Sequence, residues 1–130
     1  MRADGAARIE LTEPARPPAI PILRRAAREL ALANDSGEQL ADDVALAVSE
    51  AATNAVKYAY RTAATGTVRL FGEVSDGWLE ITIADRGEGF GVGPSEGLGL
   101  GLIIIARLCN DLRIVQEGTG TTVRMRFLLP

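Results

Sequence analysis

Glu50, Asn54, Lys57 and Arg61 fall at i, i+4, i+7 and i+11 in a run that reads as a helix. At 3.6 residues per turn they share one side of it. A carboxylate, an amide, an ammonium and a guanidinium then stand in line. The plain alternative is a solvated helix face laced with ion pairs. Two details weigh against it. An amide in mid-helix is a poor helix former with no evident structural task. The line also flanks the apolar side of the helix, whereas Ala45, Ser49 and Thr53 opposite carry no charge.

Three further segments have chemical content. Asp85-Arg86-Gly87-Glu88-Gly89-Phe90 puts a carboxylate at the end of an apolar strand and follows it with G-x-G. Such a carboxylate can hold a polar ring edge while the glycines let backbone approach closely. An ordinary turn after a strand is the simpler reading. Gly97-Leu98-Gly99-Leu100-Gly101 sits where a loop becomes a helix. Backbone N–H groups and a helix N-terminus there would suit phosphate oxygens, with close helix packing or a hinge as alternatives. No strand directly precedes these glycines, which argues against a dinucleotide fingerprint, and no G-K-[ST] exists to make a Walker loop. Gly120-Thr121-Thr122 opens a last apolar run, where threonine is by itself just a good strand former.

The elements that must position these residues are legible from periodicity. Residues 8 to 12 alternate and predict a short first strand. Pro14, Pro17, Pro18 and Pro21 oppose regular structure until about residue 18, and Ile22 to Ala33 has helical spacing with a basic face at Arg24, Arg25 and Arg28. Ser36 as N-cap with Gln39 three residues on predicts a capping box. The helix that follows carries Leu40, Val44, Val48, Ala51, Ala55 and Tyr58 in one apolar stripe and should run to about Tyr60. Thr67 to Val74 and Trp78 to Ala84 read as strands around a Ser75-Asp76-Gly77 hairpin turn. Residues 85 to 97 hold five glycines and a proline and predict a loop. Leu98 to Asn110 reads as a helix, and Leu112 to Gln116 and Thr121 to Leu128 as two more strands joined through residues 117 to 120. The order β-α-α-β-β-loop-α-β-β predicts a two-layer α/β sandwich. Its sheet would be mixed and mostly antiparallel, with three helices on one face.

Composition removes several function classes. At 130 residues and 47% hydrophobic, the chain suits one compact domain, residues 1–130, and is too apolar for disorder. A net charge of -3 without a basic block speaks against nucleic acid as a partner. The start has no apolar signal segment, and Leu98 to Leu108 is too short to span a bilayer, so a soluble, cytoplasmic protein without membrane contact is expected. With no histidine, that residue is excluded from every catalytic role. Cys109 is the single cysteine and lies in an apolar run, where a small buried thiol is the natural reading. Lys57 is the single lysine among fourteen basic residues.

Taken together, VSEAATNAVKYAY, ADRGEGF, EGLGLGL and GTGTT resemble, in this order and spacing, the N box, first glycine box, second glycine box and final strand motif of the GHKL ATPase superfamily, whose nucleotide-binding domain is the Bergerat fold. The short lid and the S-E-A-x-T-N string are most similar to the anti-sigma-factor serine kinases. The resemblance runs from the first strand to Phe127. Each box alone is common; the four in sequence are specific.

The resemblance implies ATP and Mg²⁺ as cofactors and a role for each matching position. Asn54 would hold the Mg²⁺ that bridges the phosphates, and Glu50 would act as general base or orient the attacking hydroxyl. Asp85 would accept the adenine amino group, with Thr122 nearby. Gly87 and Gly89 would let the base enter, and Gly97, Leu98, Gly99, Leu100 and Gly101 would close over the phosphates. Lys57 would add a phosphate contact. Where relatives often have histidine, this chain has Tyr58.

The implied activity is transfer of the γ-phosphate of ATP to a serine of an anti-anti-sigma protein. Sequestration of a sigma factor and homodimer formation are implied as well. A non-catalytic, nucleotide-dependent binding module using Arg24, Arg25 and Arg28, or the detached ATP-binding half of a sensor histidine kinase, are the alternatives.

Overall fold

The structure, a computed structural model, describes residues 7–59, 66–86, 98–117 and 120–130. In chain order come β1 (Arg8–Pro14), α1 (Ala19–Ala33), α2 (Glu38–Asn54), a π turn (Ala55–Ala59), β2 (Thr67–Ser75), β3 (Trp78–Asp85), α3 (Leu98–Leu108), β4 (Asp111–Glu117) and β5 (Gly120–Leu128). The strands form one sheet in the order β1-β2-β3-β5-β4. All four pairings are antiparallel, where a mixed, mostly antiparallel sheet was the expectation.

Alternation decides which face the helices cover. Along β3 every second residue is buried, from Leu79 through Ile81 and Ile83 to Asp85. The same holds for Thr121, Val123, Met125 and Phe127 on β5. With Val68 and Leu70 the apolar residues among them meet Leu23, Ala27, Leu30 and Ala31 of α1 and Val44, Val48 and Ala51 of α2 in one core. Among the described residues no helix covers the other face. There Arg8 pairs with Glu73 at 3.1 Å and Arg69 with Glu10 at 3.3 Å. Glu80 lies 3.8 Å from Arg124 and 3.9 Å from Arg126. Arg69 also stacks over Phe71, and Arg126 over Trp78. Exposed pairs of this kind keep the face soluble and contribute little to stability.

Close approach between layers rests on small residues. Gly72 of β2 is buried, and a methyl group on it would fall 2.6 Å from Leu30 Cδ2 and 3.0 Å from Ile9 Cγ1. Asp76 and Gly77, both at positive φ, close the β2–β3 hairpin in the way its sequence predicts.

Helix boundaries depart from expectation in three places. α1 begins at Ala19, and Pro21 sits inside its first turn. The first N–H groups of a helix have no internal acceptor, so proline is harmless there. The capping box does not form. Ser36 Oγ donates to the carbonyl of Gly37, Gln39 Nε2 donates to Asp43, and Gly37 at φ 83 leads into α2. Asp35 and Gly37 both take positive φ, and no side chain caps the helix N-terminus. Arg28 holds this corner instead, pairing with Glu38 at 2.6 Å and Asp42 at 3.0 Å. Those carboxylates raise its pKa, the hydrogen bond to Asp42 contributing most. Finally, α2 ends as an α-helix at Asn54 and widens into the π turn.

Candidate active site

Asn54 closes α2 with its side chain turned inward and is 4% exposed. Its Nδ2 has no hydrogen-bond partner among the described residues. A buried donor left unmade costs about 1–3 kcal/mol, so the fold carries a deficit at this atom. Glu50, one turn earlier and half-buried, stands beside it.

The third member comes from α3. Gly101 is buried, and a methyl group on it would lie 3.1 Å from Asn54 Nδ2, 3.3 Å from Glu50 Oε1 and 3.5 Å from Asn54 Oδ1. Ile105, one turn further on the same side, is fully buried and anchors α3 in the core. Gly101 therefore lets the start of α3 close onto the acid and the amide. Leu98, Gly99 and Leu100 form the turn before it, so their N–H groups belong to the helix N-terminus and carry its partial positive charge. Any of the side chains Ser, Val or Leu at position 101 would fill this gap.

Asp85 ends β3 on the helix-covered face and is 8% exposed. In the register it stands between Val68 on β2 and Thr121 on β5. Thr121 is buried on the same face. Thr122 pairs with Ala84 and points to the uncovered face. There it lines a hollow of about 310 Å³ with Thr67, Arg69, Asp85 and Arg86. Side chains alternate along a strand, so Thr121 stands directly across from Asp85, while Thr122, the threonine expected near the carboxylate, shares the hollow that Asp85 also lines.

Of the line of four expected on this helix, two members lie on α2 itself. Glu50 and Asn54 stay together, but Lys57 lies on the π turn with its side chain exposed. A π turn takes more residues per turn than an α-helix. Such turns are frequent at functional sites. Arg61, Gly87, Gly89 and Gly97 lie outside the described residues. Arg28, one of three arginines considered for a partner surface, is engaged within the chain, whereas Arg24 and Arg25 are exposed. Cys109 is half-buried, and burial pushes its thiol pKa up, as fits a structural rather than a reactive thiol.

The donor set fits a nucleotide and Mg²⁺. No cluster of three or more His, Cys, Asp or Glu able to hold a metal occurs among the described residues. Mg²⁺ does not require one, because it binds through one or two protein oxygens plus phosphates and water. Asn54 Oδ1 offers such an oxygen, and the unspent Nδ2 donor suits a phosphate acceptor. No helix among the described residues is long and apolar enough to cross a membrane.

Known proteins resemble the chain in sequence and in fold. The sequence model of the histidine kinase-like ATPase domain matches residues 13–127. The chain is 37% identical to the serine-protein kinase RsbW of Bacillus licheniformis, over 93% of its own length and 85% of that protein's. It is 34% identical to RsbW of Bacillus subtilis, over 90% and 82%. Two solved structures share the fold. One contains the RsbU and RsbW domains of a Mycobacterium tuberculosis protein, with TM-score 0.77 and 24% identity, covering 94% of this chain and 32% of that one. The other is the SiaB–SiaC complex of Pseudomonas aeruginosa, with TM-score 0.67 and 19% identity, covering 92% and 88%.

Proposed function

Because the chain belongs to the histidine kinase-like ATPase domain family, in the branch of the RsbW serine-protein kinases, we propose that it transfers the γ-phosphate of ATP to a serine hydroxyl of an anti-anti-sigma protein. The observation that carries this reading is the meeting of Glu50, Asn54 and Gly101, with a buried amide donor left unspent.

In this reading Asp85 accepts the adenine amino group at the floor of the cleft, and Thr121 supports it from the neighbouring strand. Asn54 holds Mg²⁺ through Oδ1 and a phosphate oxygen through Nδ2. When bound, the ion draws charge off the phosphate oxygens. The N–H groups around Leu98 to Gly101 receive the phosphate end, together with Gly97, and Lys57 adds a cation at the cleft's edge. Gly87 and Gly89 give the base its entry. Glu50 orients the partner's hydroxyl and takes its proton as the oxygen–phosphorus bond forms. The bond to the β-phosphate breaks, and ADP leaves with the electron pair. Phosphoryl transfer of this kind needs position and charge compensation more than covalent help. A base and a metal ligand one turn apart on a packed helix supply both rigidly.

The same reading makes residues 1–130 a single kinase domain acting in the cytoplasm, able to sequester a sigma factor and to work as a homodimer. The binding-module alternative loses ground because Arg28 is occupied within the chain.

Radiolabel transfer from ATP to a purified anti-anti-sigma protein tests the proposal. Glu50→Ala should lower the rate about 10²-fold or more, the usual contribution of a positioned base. Equal labelling by wild type and variant would remove Glu50 from the chemistry. In parallel calorimetry, Mg²⁺ should tighten nucleotide binding to wild type and help Asn54→Ala little.

A further inference from the structure

The sequence of α3 has Arg107 as its single charged residue. A helix apolar all round is ordinarily buried all round. This one is not. Ile105 is fully buried, yet Leu100 is 65% and Ile103 55% exposed, and Ala106 and Arg107 are exposed as well. Positions 100, 103 and 107 share one side of a helix. On the helix-covered side of the edge strand β4, onto which α3 packs, Ile114 is 37% exposed. An aliphatic surface of this kind marks a contact site for another protein.

Two observations select the occupant. The first is continuity with the cleft. Leu100 is the chain neighbour of Gly101, whose added methyl would touch Glu50 and Asn54. A body seated on this surface therefore stands at the mouth where a hydroxyl must approach Glu50. The second is charge. The exposed side of α3 is uncharged up to Arg107, which forms no ion pair among the described residues. Seven residues of helix put that guanidinium about 10 Å from Leu100.

We propose that the outer side of α3 is the docking surface for the protein substrate. It would receive two aliphatic side chains at Leu100 and Ile103 and, about 10 Å further on, a carboxylate at Arg107. This rests on the kinase reading, since it assigns the partner of that reaction to a surface.

Calorimetry tests it without turnover. The probe is an anti-anti-sigma protein with its acceptor serine replaced by alanine, titrated into the full chain loaded with Mg²⁺ and a non-hydrolysable ATP analogue. Wild type should bind, and Ile103→Glu and Arg107→Glu should each bind at least about tenfold more weakly. Affinity for the analogue should stay within about twofold in both, which also reports that the variants are folded. Binding by both variants as tight as by wild type overturns the surface and leaves the kinase reading intact. Conversely, binding that Ile103→Glu abolishes, with no labelling of the unaltered partner by wild type, keeps the surface and sinks the transfer. Should wild type sediment as a dimer and Ile103→Glu as a monomer, the occupant is a second copy and the proposal fails. A wild-type protein that neither binds nor labels the partner removes both readings.

Discussion

Thr121 and Thr122 show how one position in a strand carries a side chain from one face of a sheet to the other. Thr121 is buried across from Asp85, and Thr122 faces the uncovered side beside Ala84. Thr121→Val should therefore weaken adenine nucleotide binding about tenfold, the worth of one hydrogen bond in a dry site. Thr122→Val should leave affinity within about twofold, both read by calorimetry. Equal losses would mean that the register does not govern the pocket. Glu50 and Asn54 were legible as a pair because i and i+4 on a helix are local neighbours. Their meeting with Gly101 was not, since it joins segments some fifty residues apart and depends on how α3 seats against α2. The choice between the two threonines likewise needed the pairing of β5 with β3, because the string GTT alone does not say which face is covered.

The elements were the most readable level. Three helices and five strands follow from apolar periodicity, and their observed bounds lie close to those expected. The departures come from competing local chemistry. A reversal at Asp35 and Gly37 displaces the expected cap, and the π turn ends α2 before Tyr60. Neither has a hydrophobic signature. Gly72 is another feature that pattern alone passes over. It sits in β2 where α1 and β1 press closest, with Leu30 Cδ2 at 2.6 Å from a would-be methyl. Leu30 and Ile9 are held by the core or packed against it and have little room to retreat. Gly72→Ala should accordingly destabilise the fold by about 1–3 kcal/mol through overpacking. Urea denaturation would show this as a lower midpoint at unchanged slope. An unaltered midpoint would mean that α1 moves aside freely.

At the scale of the whole molecule, the proposed site would join the end of β3 to the α2–α3 contact, so a bound nucleotide would tie the sheet to the helix layer. Any ligand that binds only the folded state stabilises it by mass action. ATP with Mg²⁺ at a hundredfold excess over its Kd should add about 2.7 kcal/mol, seen as a rise in Tm. Asp85→Ala should erase most of that rise, because the adenine end would lose its acceptor. A Tm indifferent to ATP, with or without Mg²⁺, would count against a nucleotide cleft in this fold. The open sheet face, with its ion pairs and stacked guanidinium groups, should be unaffected by the nucleotide.

The amino-acid sequence by itself determined the element order, the hairpin at Asp76-Gly77, and the residue types at the cleft. Each of these follows from neighbours a few positions apart. Tertiary structure alone decided which threonine pairs with Asp85 across the strands, that Gly101 closes on Glu50 and Asn54, that Lys57 falls on a π turn, and that an all-apolar helix keeps one side exposed. Those outcomes depend on strand register and on helix seating, which are set by burial across the whole core. No stretch of chain holds that information locally.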